Sequence, residues 1–253
     1  MTSRYGFHPP RVTHLVLPFP GIDRPRRVVH LTDLHLAYTT PLQILRDAVA
    51  LANAARPDLV VLTGDYVGYA ANRLADLEAA LRALDAPVVA VLGNHDHWTD
   101  APAIVGALVR ADVEVLVNSW TVAGGVAVVG VDDGVTGRAN PVEATRGRPP
   151  GPALGLSHDP EVAPDLWSQD VPIVLSGHTH AGQVHFGPLT SGLHRAVLGR
   201  RFVAGLYTTP RGTVFVNAGV GASGVPFRLG DGAHREVAVI DLLPSHANHR
   251  AIV

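Results

Sequence analysis

Five short apolar runs in this chain each end directly on residue types that bind metal ions, and that recurrence narrows the folds open to it. The junctions are LTDLH (Leu31 to His35), TGDY (Thr63 to Tyr66), GNHDH (Gly93 to His97), SHDP (Ser157 to Pro160) and SGHTH (Ser176 to His180). Arg27 to Thr32, Leu59 to Thr63 and Val88 to Leu92 read as buried strands. Between them, Leu42 to Ala55 and Arg73 to Leu84 carry apolar residues at helical spacing, with Pro41 suited to a first turn and Pro57 and Pro87 as stops. A β-α-β-α-β series predicts a sheet with parallel strands covered by helices. Ligands of such sheets bind outside the carboxyl ends of the strands, so five ends bearing Asp, Asn and His predict one shared site.

From Val113 the pattern shortens. Glu114 to Val117, Thr121 to Ala123 and Val126 to Val131 read as a meander with a hairpin turn at Gly124-Gly125. Asp132 to Pro152, rich in Gly, Pro and Arg, reads as a long surface loop. Strands resume at Ala153 to Leu156 and Ile173 to Leu175, with more after Gly182. The expectation is one domain over residues 1–253: an arm to residue 26, a core over 27–242 and a tail from 243.

Taken singly the junctions say little. Asp-x-His is common in capped turns, and Gly-Asn suits any turn that needs positive φ. GHTH places two imidazoles on the same side of an extended segment. It is the set of five that independent turns would rarely produce.

The series D-x-H, G-D, G-N-H-D, H and G-H-x-H resembles the calcineurin-like metallophosphoesterase family over about Arg27 to Leu242. SGHTHAGQV, NAGVGASGVPFRLG and GVDDG are similar to its YkuE-like bacterial phosphodiesterase branch, which is related to the UDP-2,3-diacylglucosamine pyrophosphohydrolases. Two positions depart from that branch: Ala181, where glycine is frequent, and Asp159, where asparagine is common. The resemblance implies an α/β fold built as a four-layer α-β-β-α sandwich with two mixed β-sheets. It implies two divalent metal ions, one on Asp33, His35 and His180, the other on Asn94, His158 and His178, with Asp65 bridging. His95 would serve the leaving oxygen, oriented by Asp96. The implied reaction is hydrolysis of a phosphodiester or pyrophosphate bond by in-line attack of a metal-bridging hydroxide. A phosphomonoesterase on the same site and a non-catalytic binding scaffold are the alternatives.

The chemistry agrees with that reading. Two carboxylates against two divalent ions leave about +2, or about +1 with hydroxide bound, which suits an anionic phosphate. Nitrogen and oxygen ligands admit Mn, Fe, Zn or Co. His97, Arg195 and Arg228 are candidates to touch substrate; Arg200 and Arg201 are further candidates for a second phosphate or polar head. No arginine lies within the five junctions, which favours a monoanionic diester over a dianionic monoester. The Asp132 to Pro152 loop and the apolar stretch from His185 to Leu206 offer surface for a second substituent.

Composition excludes other classes. The absence of cysteine removes disulfides, thiolate metal sites and a cysteine nucleophile. A net charge of -2 gives no basic field for nucleic acid. The N-terminus lacks a signal-peptide pattern, and no apolar run approaches the roughly 20 residues of a membrane span. The expected partner is thus a small-molecule or lipid-headgroup phosphodiester or pyrophosphate, met in the cytoplasm or at a membrane surface.

Overall fold

A computed structural model describes residues 8–183, 199–224, 228 and 234–245. Two six-stranded mixed sheets carry the architecture. The first has the order β1 (Arg11–Pro20), β12 (Glu236–Ser245), β2 (Arg26–Leu31), β3 (Leu59–Thr63), β4 (Val88–Val91), β5 (Val113–Val115). Strands β2 to β5 run parallel, and β12 is antiparallel to β2. The second has the order β10 (Gly205–Thr208), β11 (Thr213–Val216), β9 (Ile173–Ser176), β8 (Leu154–Leu156), β7 (Val126–Gly130), β6 (Ser119–Ala123). Its four central strands are parallel and its two edges antiparallel.

Successive side chains of a strand point to opposite faces, and both faces here are apolar. In β2 to β4, Val28, Leu59, Val61, Val89 and Val91 pack against Val128, Leu154, Leu156, Leu175 and Phe215 of the second sheet. The alternate residues Val29, Val60, Leu62, Val88 and Ala90 pack outward on α1 (Leu42–Ala54), α2 (Leu74–Leu81) and α4 (Ala101–Arg110). On the far side, Val129, Val174, Val214 and Val216 meet α5 (Pro141–Ala144) and α6 (Ala163–Trp167) through Ala144, Leu166 and Trp167. The expected helix-sheet-sheet-helix layering is therefore present.

Four local expectations change. Residues 1–26 were expected as an arm, but Arg11–Pro20 forms β1, parallel to β12 along its whole length. The alternation of Leu15, Leu17 and Phe19 inward supports it, and its prolines sit at the sheet edge where missing donors cost least. Strand β12 likewise runs three residues past the expected core boundary, to Ser245. The expected meander splits: β5 joins the first sheet beside β4, and the second sheet keeps only the β6–β7 hairpin. Within the expected Asp132 to Pro152 loop, Pro141–Ala144 forms α5, its first turn capped by the Asn140 side chain.

Candidate metal centre

Each predicted ligand follows the C-terminal end of a parallel strand. Asp33 and His35 follow β2, Asp65 follows β3, and Asn94 opens α3 (Asn94–Thr99) after β4; His158 follows β8, and His178 and His180 follow β9. The chain must leave these strands sharply. Asp33, His35, Asp65, His178 and His180 all adopt positive φ, from 42° to 71°, a conformation unfavourable for residues with a Cβ. Such strain concentrated at one place marks a constrained site. Gly93 and Gly177 complete the packing: a Cβ at Gly93 would press on the Asp65 carboxylate, and one at Gly177 on Thr32 and the Asp33 carboxylate.

The two carboxylates share a design. Asp33 Oδ2 accepts from the Thr32 hydroxyl at 2.9 Å and the His178 N–H at 3.0 Å, while Oδ1 has no hydrogen-bond partner. That free oxygen lies 3.2 Å from His180 Nε2 and 3.8 Å from His35 Nε2. Asp65 Oδ1 accepts the His95 N–H at 2.9 Å, while Oδ2 lies between His35 Nε2 at 3.4 Å and His158 Nε2 at 3.3 Å. His158 is oriented from behind, its Nδ1 bonded to the Thr63 carbonyl at 2.6 Å, so that Nε2 faces Asp65. Three overlapping groups, Asp33/His35/His180, Asp33/Asp65/His158 and His35/Asp65/His95, each have ligand atoms within 4.8 Å of one another.

Burial sets the protonation. It lowers the pKa of His35 to about 4 and that of His178 to about 3, and holds His180 well below the ordinary range, so these rings are neutral near pH 7. Burial also raises Asp33, to about 6. For Asp65, burial alone would raise the pKa, but His158 and His35 pull the carboxyl below its usual range. His158 is raised, because Asp65 and Asp33 outweigh its burial. Buried orphan atoms at Asp33 Oδ1, Asn94 Oδ1 and His158 Nε2 need a partner, since a buried polar group without one costs about 1–3 kcal/mol. A divalent cation is a partner that fits oxygen and imidazole nitrogen together.

Other predicted residues take different places. Asp96 does not orient the His95 ring: its Oδ2 accepts the N–H groups of Gly93 and Asp65 at 2.8 and 2.9 Å, and its Oδ1 that of Tyr66 at 2.9 Å. The His95 imidazole stacks edge-on against His35, Tyr69 and Trp98, with its Nδ1 buried and unpartnered. His97 Nε2 is taken by Asp132 at 2.6 Å, which ties α3 to the end of β7. Arg228, expected to touch substrate, is half-buried and donates to the carbonyls of Ala218, Gly221 and His234 and to His180 Nδ1 at 3.0 Å. Arg228 thereby favours the His180 tautomer whose proton sits on Nε2, facing His35 Nε2 at 3.0 Å; a cation held by Nε2 would require the other tautomer, with the proton on Nδ1 and the Arg228 contact given up. Arg195 lies outside the described residues.

Arginine also reaches the site in space where the five junctions contain none. Arg200 donates from Nη2 to His178 Nε2 at 2.8 Å and from Nη1 to Asp159 Oδ1 at 2.8 Å. A cation beyond the metals therefore stands beside the candidate ligands, so charge alone does not select a diester over a monoester. Sequence reasoning missed Asn217, buried between the sheets, whose Nδ2 donates to the His30 carbonyl and whose Oδ1 accepts from Gly219 N–H. Its place after strand β11, at the start of NAGVG, was the available signal.

The calcineurin-like phosphoesterase family matches residues 26–182, well over half of the chain. The chain belongs to this family. Among relatives of this phosphoesterase, Phosphodiesterase YaeI of Escherichia coli is 31% identical over 222 residues, covering 83% of this chain and 81% of that protein. The metallophosphoesterase YkuE of Bacillus subtilis is 29% identical, over 80% of this chain and 74% of its own. In fold it is similar to TT1561 of Thermus thermophilus, with a TM-score of 0.52 at 17% identity over 77% of this chain and 90% of that one. The phosphoesterase is thus a metal-dependent hydrolase of phosphate esters. Among the described residues no helix is long and apolar enough to cross a membrane.

Proposed function

We propose that this phosphoesterase cleaves phosphodiester or pyrophosphate bonds of small molecules or lipid headgroups, using two divalent cations. One observation carries the reading: Asp65 Oδ2 stands nearly equidistant from His35 Nε2, at 3.4 Å, and His158 Nε2, at 3.3 Å. An oxygen so placed suits a carboxylate shared between a cation on Asp33, His35 and His180 and another on Asn94, His158 and His178. Bound divalent cations supply positive charge for the phosphoryl oxygens and acidify water at the site. The protein's part is to fix these ligands in strained turns and to keep the His35, His178 and His180 imidazoles neutral by burial. His95 is read as the group that meets the leaving oxygen, from its place beside His35 and open to the Tyr69 and Trp98 side. The name of the E. coli relative supports a diester over a monoester.

Metal analysis with bis-aryl and mono-aryl phosphates tests the reading. Two divalent ions per chain are expected, with the diester turned over faster. Asp65→Asn is expected to lose both the activity and most of both ions. One ion per chain at full activity, or a tenfold preference for the monoester, about 1.4 kcal/mol in the transition state, would overturn it.

A further inference from the structure

Beside the metal centre lies a groove of ≈ 300 Å³, lined by His35, Tyr38, Tyr69, Asn72, Arg73 and Ala222 among others. Its volume is at the lower end for small-molecule sites and suits one substituent. Tyr38 is 75% exposed, Tyr69 69% and Trp98 62%, and these are the exposed aromatic side chains among the described residues. Tyr38 and Tyr69 line the groove, and Trp98 stands outside it against His95. Tyr69 and Trp98 stand edge-on to His95 with ring centroids at 5.0 and 5.1 Å, and His95 stands edge-on to His35 at 4.7 Å. A run of rings thus leads from the groove to the candidate ligands. The Tyr38 hydroxyl donates to the Gly224 carbonyl at 3.0 Å, which fixes that ring against the loop after β11.

The groove's charge is already spoken for. Arg73 donates from Nε and Nη2 to Asp76 Oδ2 at 2.9 and 2.8 Å. A second phosphate would meet no uncommitted positive charge among these lining residues, whereas a flat ring would meet aromatic edges and faces.

We infer that this groove seats an uncharged aromatic substituent of the ester, which narrows the substrate class to phosphodiesters bearing a planar ring on one side. The inference rests on the phosphodiesterase reading above and goes beyond it in choosing between the diester and the pyrophosphate.

The test uses the metal-loaded protein and two monoanions whose one ester bond has methoxide, a poor leaving group, methyl phenylphosphonate and methyl methylphosphonate, titrated calorimetrically. They differ by one phenyl group in place of methyl. The phenyl compound is expected to bind at least tenfold more tightly. In Tyr38→Ala and Tyr69→Ala the phenyl-to-methyl ratio is expected to fall to about twofold or less. Tyr38 makes no ring contact with His95, so that variant separates the groove from the catalytic histidine. Equal binding of the two compounds by the unaltered protein overturns the inference, and aryl-diester hydrolysis in the same preparation shows that the broader reading still stands. Absence of both binding and hydrolysis sinks both. Co-sedimentation with phosphatidylglycerol vesicles that depends on Tyr38 and Trp98, at a phenyl-to-methyl ratio of one, would assign the rings to a bilayer and also overturn it.

Discussion

Substituting Asp96 by alanine removes the acceptor of three buried N–H groups, those of Gly93, Asp65 and Tyr66, at 2.8 to 2.9 Å. Each donor left unpaired costs about 1–3 kcal/mol, giving roughly 3–9 kcal/mol in all. Two effects reduce that sum. Water entering the vacated space satisfies part of it, and removing a buried carboxylate relieves its repulsion with Asp65, one of the causes that raise the Asp96 pKa to about 7. The expected loss is therefore in the lower half, about 3–5 kcal/mol. Against a typical total of about 5–15 kcal/mol, this brings the variant close to unfolding. The assay is urea denaturation followed by circular dichroism, in chelator, so that metal release does not enter. If Asp96 served mainly to orient His95, Asp96→Ala would instead lose turnover with little change in stability. A loss below 1 kcal/mol with a large fall in kcat would refute the reasoning from these three hydrogen bonds.

Other outcomes follow from the same geometry. Gly93→Ala has an ordinary φ of -115°, so its cost is steric: the new methyl group meets the Asp65 carboxylate and lies 2.9 Å from His158. Metal affinity is expected to fall more than tenfold by calorimetry, and unchanged affinity would count against the close packing. His95→Ala is expected to keep both ions and lose most turnover, least with nitrophenolate as leaving group; loss of an ion would move His95 into the ligand set with His35 and Asp65. His30 is held neutral by burial, with its pKa lowered to about 3. The unfolded chain takes up that proton below about 6.5, so stability falls as pH drops through the window from about 6.5 to about 3, by up to roughly 1.4 kcal/mol per unit. His30→Gln is expected to flatten the urea midpoint against pH in that window, and an unchanged slope would exclude His30 as its source.

The local features of this fold were legible because they repeat within a few residues. Leu59–Thr63 was read at its observed boundaries, and α1 within one residue, from valine-leucine runs and helical spacing. The candidate ligands were legible because each abuts a strand end. What was hidden depends on pairing across long stretches of chain. β1 finds its partner more than 200 residues away, and nothing inside Arg11–Pro20 names β12. The work of Asp96 was hidden because it meets backbone N–H groups some 30 residues earlier, which have no side-chain signature. Arg200 and Arg228 reach His178 and His180 only once the loops are folded.

The candidate ligands are divided between the two sheets. Asp33, His35, Asp65 and Asn94 hang from the first, and His158, His178 and His180 from the second. An ion pair seated among them would act as a rivet through the seam between the layers. Pulling the layers apart would then mean pulling ligands off metal, so loss of the ions and loss of the fold would become a single event. Free metal at a thousand times its dissociation constant would add about 4.1 kcal/mol to the stability. A chelator would then act on this enzyme as a denaturant as well as an inhibitor, and its melting temperature would climb with every increment of free metal.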